Sequence, residues 1–163
     1  FLGICYGMQM AIIEFARNQL NLKKATSSEF DKKGLPIIGL INEWTKDGKK
    51  IKGTDKDLGG TMRLGSWKCK IEKNTLAKKI YKKEVIAERH RHRYELNFEY
   101  MDKLKKAGMV FSGLNPETGL VEIIEIPNHD WFVGVQFHPE YQSTVKNPHP
   151  LFVSFVEACK KTI

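Results

Sequence analysis

FLGICYGMQMAIIEFARNQL, residues 1–20, joins an apolar run, a cysteine between two glycines and a helical spacing of apolar residues in one stretch. Phe1 to Cys5 reads as a short buried strand. The turn through Gly7 leads into a helix from about Met8 to Leu20, where Met10, Ile13 and Ala16 recur at helical spacing with Arg17 on another face. A strand that turns this sharply into a helix projects the Cys5 thiol from the carboxyl edge of a sheet toward the helix N-terminus. Thiolate and oxyanion are both favoured there, so the spacing predicts a nucleophile with a depressed pKa. Gly3-Ile4-Cys5-Tyr6-Gly7 also suits a small buried cysteine beside a packing turn, and the elbow alone leaves both readings open.

Residues 31–60 read mostly as loop, broken by the apolar stretch Leu35 to Ile41. Alternating segments follow at Leu64–Ile71 and Glu84–Glu88. A helix is expected from about Phe98 to Ala107, stopped by Gly108. Met109–Ser112, Val121–Ile126 and Trp131–Phe137 are short, rich in Val, Ile and Phe, and separated by turn residues, which predicts strands. A closing helix is expected over Pro150–Lys160. Helices interleaved with buried strands indicate a single α/β domain across residues 1–163, without internal repeat or linker.

Composition narrows the class. The chain has 163 residues, 41% of them hydrophobic, with only 6 prolines and 13 glycines, which is globular rather than disordered or collagenous. No window approaches the roughly 20 apolar residues of a membrane span, and no basic leader precedes the apolar start. Three cysteines, Cys5, Cys69 and Cys159, form no metal-type cluster, and their odd number argues against a disulfide framework. A reduced, cytoplasmic setting without a membrane partner is expected. Because the chain opens on Phe1 inside an apolar run, it reads as a piece of something longer. The net charge of +8 is concentrated in residues 46–83, which hold 13 Lys/Arg against 4 Asp/Glu. Those cations fall on short turns such as KDGKKIKG and on the helix-like ends of LAKKIYKK, so a solvated lysine-rich surface is favoured over a nucleic-acid site.

A second constellation is Val135-Gln136-Phe137-His138-Pro139-Glu140. On an extended backbone residues i and i+2 project to one side, so His138 and Glu140 share a neighbourhood and Pro139 stiffens the link. A carboxylate that accepts the imidazole Nδ1 proton leaves Nε2 free to take a thiol proton and return it to a leaving amine. The alternative is a histidine that merely ends a strand. Metal binding is disfavoured, since no second His or Cys lies at ligand spacing.

GICYGMQ (residues 3–9) and GVQFHPE (134–140) together resemble the class I glutamine amidotransferases. LGGTMRLG (58–65), ERHRHRYELN (88–97), SSEF (27–30) and PHPLF (148–152) are similar to the glutaminase domains of the CTP synthase family within that class. The resemblance implies a flavodoxin-like three-layer α/β fold whose N-terminal strands are missing from this chain. It implies Cys5 as nucleophile, His138 as base and acid, Glu140 as its orienter, and the Tyr6 backbone N–H as an oxyanion donor. Tyr6 departs from the leucine usual at that position, but only its backbone is required. Tyr6, Gln9, Glu29 and Arg93 match glutamine-binding positions, and charge agrees, because an α-ammonium needs an anion and an α-carboxylate a cation. Arg89 and Arg91 are expected in structural ion pairs. Arg63, in the glycine-flanked loop Gly59–Gly65, is the candidate for a lid responsive to GTP as allosteric activator.

By the same resemblance, ammonia made here would serve a synthetase domain of the same polypeptide, within a homotetramer. That domain would hold ATP, UTP and Mg2+ and convert UTP to CTP. Neither a P-loop motif nor the upstream glycine-rich oxyanion loop occurs in this sequence. The competing readings are a class I relative serving guanine, folate or carbamoyl phosphate chemistry, or a non-catalytic assembly module.

Overall fold

The computed structural model describes residues 1–40, 43–46, 49–52 and 62–161. In chain order the elements are β1 (Leu2–Ile4), α1 (Tyr6–Gln19), β2 (Ala25–Ser27), β3 (Leu35–Leu40), β4 (Glu43–Lys46), β5 (Lys49–Lys52), β6 (Arg63–Ile71) and α2 (Leu76–Tyr81). They continue with β7 (Val85–His92), β8 (Tyr94–Leu96), α3 (Met101–Lys106), β9 (Val110–Leu114), β10 (Val121–Glu125), β11 (Val133–Val135) and α4 (Pro150–Lys160). Short 3-10 turns cover Phe98–Tyr100 and Pro139–Gln142.

The main sheet has the order β1-β11-β10-β9-β6-β7, with β1 parallel to β11 and the other neighbours antiparallel. A smaller sheet runs β2-β3-β8, and β4 pairs with β5. Successive strand residues face opposite sides of a sheet, and β10 divides the core accordingly. Ile124 packs with Met8, Ile12, Phe15 and Ala16 of α1 on one side. Ile123 packs on the other with Val133, Val135, Ala77 of α2 and Leu151 of α4. The result is three layers: α1, the sheet, and the α2–α4 pair.

Several elements differ from the sequence expectation. The first strand narrows to Leu2–Ile4, and its helix begins at Tyr6 rather than Met8. The segment expected at Glu84–Glu88 is a strand of eight residues reaching His92, its burial alternating strictly. The helix expected over Phe98–Ala107 divides into a 3-10 turn capped by Asn97, whose side chain accepts from the Glu99 N–H, followed by α3. Gly108 ends it at φ 104°, a left-handed conformation that a side chain would oppose. Among the described residues no helix is long and apolar enough to cross a membrane.

Candidate active site

Cys5 sits between β1 and α1 with φ 47° and ψ −99°, a backbone conformation that costs a non-glycine residue about 1–3 kcal/mol. Three contacts hold it there. Its N–H donates to the Val135 carbonyl at 2.7 Å, tying the elbow to β11. Its own carbonyl accepts from the Gln9 N–H at 3.2 Å and starts the helix. Behind it, a Cβ on Gly3 would lie 2.8 Å from the Gly7 carbonyl carbon and 2.9 Å from the Met8 nitrogen, so strand and helix close on each other only through glycine. Gly7 faces open space, and its role is not steric.

The Cys5 thiol is not depressed. Burial pushes it up to about 11, and the Glu95 and Glu140 carboxylates push the same way. Donation from the Tyr6 N–H, and from Gln136 Nε2 at 3.6 Å, lowers it only in part. The helix N-terminus supplies its donors as expected, but desolvation outweighs them. At neutral pH the resting sulfur therefore keeps its proton.

His138 donates its backbone N–H to the Arg89 carbonyl at 2.8 Å, which anchors the segment after β11 to β7. Its Nδ1 lies 2.6 Å from Glu140 Oε1, the predicted orienting contact, and the ring stacks on Tyr141 with centroids 5.1 Å apart. With Nδ1–H donated to the carboxylate, Nε2 carries a lone pair. That atom is buried and has no hydrogen-bond partner among the described residues.

Beside the elbow, Cys5, Tyr6, Gln9, Glu29 and Arg93 line one cavity of about 270 Å3, together with Tyr94. Every residue expected to touch a glutamine ligand thus meets at one place. The Gln9 amide is fixed by donating from Nε2 to the Tyr94 carbonyl at 2.8 Å and to Gln136 Oε1 at 3.2 Å. Glu29 is exposed and Arg93 half-buried, and neither has an ion-pair partner among the described residues. Their opposite charges remain available to a zwitterion.

Two expectations are corrected. Residues 59–61 of the expected lid lie outside the described residues, but Arg63 opens β6 rather than sitting in a loop, and it is 2% exposed. It donates from Nη1 to Glu95 at 2.9 Å and from Nη2 to Glu122 at 2.6 Å, so its guanidinium is committed inward. Arg89 and Arg91, expected in ion pairs, instead occupy the outward positions of β7 and pair with no carboxylate among the described residues.

The sequence reading missed Gln136, which joins Cys5 to Gln9. It also missed the support beneath the His138 segment. Glu88 accepts from His149 Nε2 at 2.9 Å, Tyr81 Oη at 3.2 Å and Gln142 Nε2 at 2.7 Å. That cluster pins the turn carrying Glu140 to β7. The available signal was the pairing of an inward-facing Glu88 with the His149 of PHPLF, visible only once β7 is known to be a strand.

Residues 1–158 match the family described as glutamine amidotransferase class-I. The chain is similar to the CTP synthase of Pelagibacter ubique, at 73% identity over 98% of the chain, and to that of Flavobacterium psychrophilum, at 57% identity over 99%. It spans 30% and 29% of the lengths of those two relatives. Among solved structures, the glutaminase domain of Trypanosoma brucei CTPS with bound acivicin aligns with a TM-score of 0.83 and 35% identity, covering 98% of this chain and 60% of that one. A putative GMP synthase component from Thermoplasma acidophilum aligns at 0.57 with 15% identity, a likeness of fold alone, over 99% of this chain and 57% of that one.

Proposed function

The chain belongs to the class-I glutamine amidotransferases, and on that premise we propose that it is the glutaminase part of a CTP synthase, hydrolysing L-glutamine to glutamate and ammonia. The observation that carries the reading is the convergence of Cys5, Tyr6, Gln9, Glu29 and Arg93 on one cavity, with His138 and Glu140 paired at the same sheet edge. Arg93 meets the α-carboxylate of glutamine and Glu29 its α-ammonium, which brings the side-chain amide to Cys5.

His138 Nε2 takes the thiol proton as sulfur bonds to the amide carbon, and the carbonyl oxygen becomes an oxyanion facing the Tyr6 N–H. Glu140 holds the imidazolium that results. When the tetrahedral intermediate collapses, the C–N bond breaks and the proton on His138 passes to nitrogen, releasing ammonia. Water, deprotonated by His138, then cleaves the γ-glutamyl thioester to glutamate and restores the thiol. The high pKa of the resting thiol suits this order, because proton transfer accompanies attack and no standing thiolate is needed.

The remaining steps are what the resemblance of GTMRLG and RHRHRYE to CTP synthase glutaminase domains implies. Ammonia passes to a synthetase domain that holds ATP, UTP and Mg2+ and forms CTP. The whole enzyme is a cytoplasmic homotetramer activated by GTP. In the full-length protein, Cys5→Ala should abolish CTP formation from glutamine, with a loss on the order of 10⁴-fold, while CTP formation from ammonium salts continues near the parent rate. Retained glutamine-dependent synthesis would show that Cys5 is not the nucleophile. Loss with both nitrogen donors would show that this domain does more than supply ammonia.

A further inference from the structure

A buried polar cluster that reaches the cavity wall through His92 is left unused by the chemistry above. Arg63 is its only cation among the described residues, and it faces two carboxylates, Glu95 and Glu122, each at most 3% exposed. His90 and His92 complete it, with His90 Nδ1 2.8 Å from His92 Nε2. His92 Nδ1 lies 3.2 Å from the Tyr94 carbonyl, the same oxygen that fixes Gln9. At the other end, His90 Nε2 and Glu122 Oε2 are 3.3 Å apart, and neither atom makes a hydrogen bond among the described residues.

Proton bookkeeping selects one arrangement. The Tyr94 carbonyl can only accept, so His92 carries its proton on Nδ1 and presents a lone pair at Nε2. His90 must then donate from Nδ1, which leaves its own Nε2 as an acceptor. The group in reach of that acceptor is Glu122, which satisfies it only as a neutral carboxylic acid donating from Oε2. One guanidinium against two carboxylates agrees, since a second buried negative charge would be uncompensated.

We propose that Glu122, His90 and His92 form a buried relay that carries one proton on Glu122 and acts through the Tyr94 carbonyl to position Gln9 and the adjoining Arg93 for glutamine. These are positioning residues; none touches the reacting atoms. The inference rests on the glutaminase reading of the site. It has a switching consequence. When the cluster loses one proton to solvent, Glu122 gives its proton to His90 Nε2, His90 Nδ1 passes its own to His92 Nε2 and becomes an acceptor, and the proton that leaves is the one from His92 Nδ1. The bare His92 Nδ1 then opposes the Tyr94 carbonyl, lone pair against lone pair, and the wall that orients Gln9 and Arg93 is displaced.

The groups facing Glu122 are Arg63 and Cys69 from β6, His90 from β7 and Glu95 from β8, with His92 and His138 next to His90. Burial pushes the Glu122 carboxyl up to about 8, Arg63 lowers it and Glu95 raises it again. Burial, Arg63 and neighbouring histidines all press His90 toward neutrality, and burial followed by Arg63 lowers His92 to about 3. The relay is therefore intact at neutral pH and is lost in alkali.

The test is the pH dependence of KM for glutamine in the full-length enzyme, with Glu122→Gln beside the wild type. An amide keeps the acceptor toward Arg63 and the donor toward His90 but cannot ionise. The wild-type KM should rise about tenfold between pH 7 and pH 9, because the competent fraction falls with ionisation. In Glu122→Gln it should stay flat, with kcat following the same profile in both proteins. Glu122→Leu, which can do neither, should raise KM already at pH 7. An equal alkaline rise of KM in wild type and Glu122→Gln overturns the positioning role. Independently, the Glu122 side-chain carboxyl 13C resonance should titrate above pH 7, and titration near 4 overturns the relay. A wild-type enzyme that hydrolyses no glutamine overturns the site reading and the positioning role with it. The carboxyl titration would then still decide the relay.

Discussion

The raised pKa of Cys5 makes reagent choice a sharp test of how the site works. An ordinary cysteine titrates near 9.0, and Cys5 is pushed up to about 11, so its thiolate fraction at neutral pH is lower by about two powers of ten, or roughly 2.7 kcal/mol. Iodoacetamide needs a thiolate and makes no use of Glu29 or Arg93, so at pH 7 it should modify the exposed Cys159 roughly tenfold faster than Cys5, the greater nucleophilicity of a high-pKa thiolate offsetting about half of its scarcity, and leave the buried Cys69 intact. A glutamine-like electrophile reverses that order. Its ammonium and carboxylate engage Glu29 and Arg93, its carbon rests on sulfur, and His138 removes the proton only during attack. It should therefore label Cys5 alone. His138→Ala should abolish that labelling while changing the iodoacetamide pattern little. Quantitative peptide mapping of timed reactions reads both rates. Rapid iodoacetamide labelling of Cys5, at or above the rate of Cys159, would refute the argument that the thiol rests protonated and is activated only with substrate in place.

Three further outcomes are expected. Arg63→Met leaves Glu95 and Glu122 buried without a cation, a change costing about 3–5 kcal/mol for a broken buried pair, less whatever a second carboxyl proton recovers; urea denaturation would read it, and an unchanged midpoint would show that the pair contributes nothing. Gly3→Ala drives a methyl into the Gly7 and Met8 backbone and should cost about 1–3 kcal/mol while lowering kcat through displacement of Cys5, measured by thermal melting and glutaminase assay together. Stability from the buried cluster should peak near pH 6–7. His90 and His92, held neutral below their usual range, lose stabilisation as pH falls through about 6.5, where the unfolded chain binds protons and the folded one does not. Glu122, held protonated, loses it as pH rises toward 8, where the folded chain alone keeps its proton. A urea midpoint that climbs steadily from pH 6 to 8.5 would contradict that sign.

The elbow was legible because its chemistry is local. A glycine, a cysteine and a helical apolar period within twenty residues leave few alternatives, and Gly3 occupies the position where backbones touch. His138 and Glu140 were legible for the same reason, being two residues apart on stiff backbone. What stayed hidden depends on β7. Its inward residues are Ile86, Glu88, His90 and His92, so three of the four buried positions are polar and no apolar alternation marks the strand. Without that register, Arg89 and Arg91 look like partners for internal carboxylates, and Arg63 looks like part of the glycine-flanked loop it adjoins. The thiol pKa was misread for a related reason: the helix N-terminus is visible in sequence, whereas the burial that outweighs it comes from strands far along the chain.

These misreadings share a physical source that bears on how the site works. Sequence separates ERHRHRYE into charges without evident order, while the strand sorts them strictly, arginines outward and Glu88, His90 and His92 inward. The inward set does two jobs at opposite ends of one strand. Glu88 secures the turn that presents Glu140 to His138, and His90 with His92 secures the carbonyl that presents Gln9. The Arg89 carbonyl lies between them and holds the His138 N–H. Base and ligand pocket are thus both referenced to β7, whereas the nucleophile is referenced to β1 and β11. Their mutual placement then depends on the sheet linking β11 through β10, β9 and β6 to β7, and the Glu122–Arg63 hydrogen bond is a buried contact across that span among the described residues. A substitution there should act on the alignment of two halves of the site, which is why KM and its pH dependence, rather than stability alone, report on it.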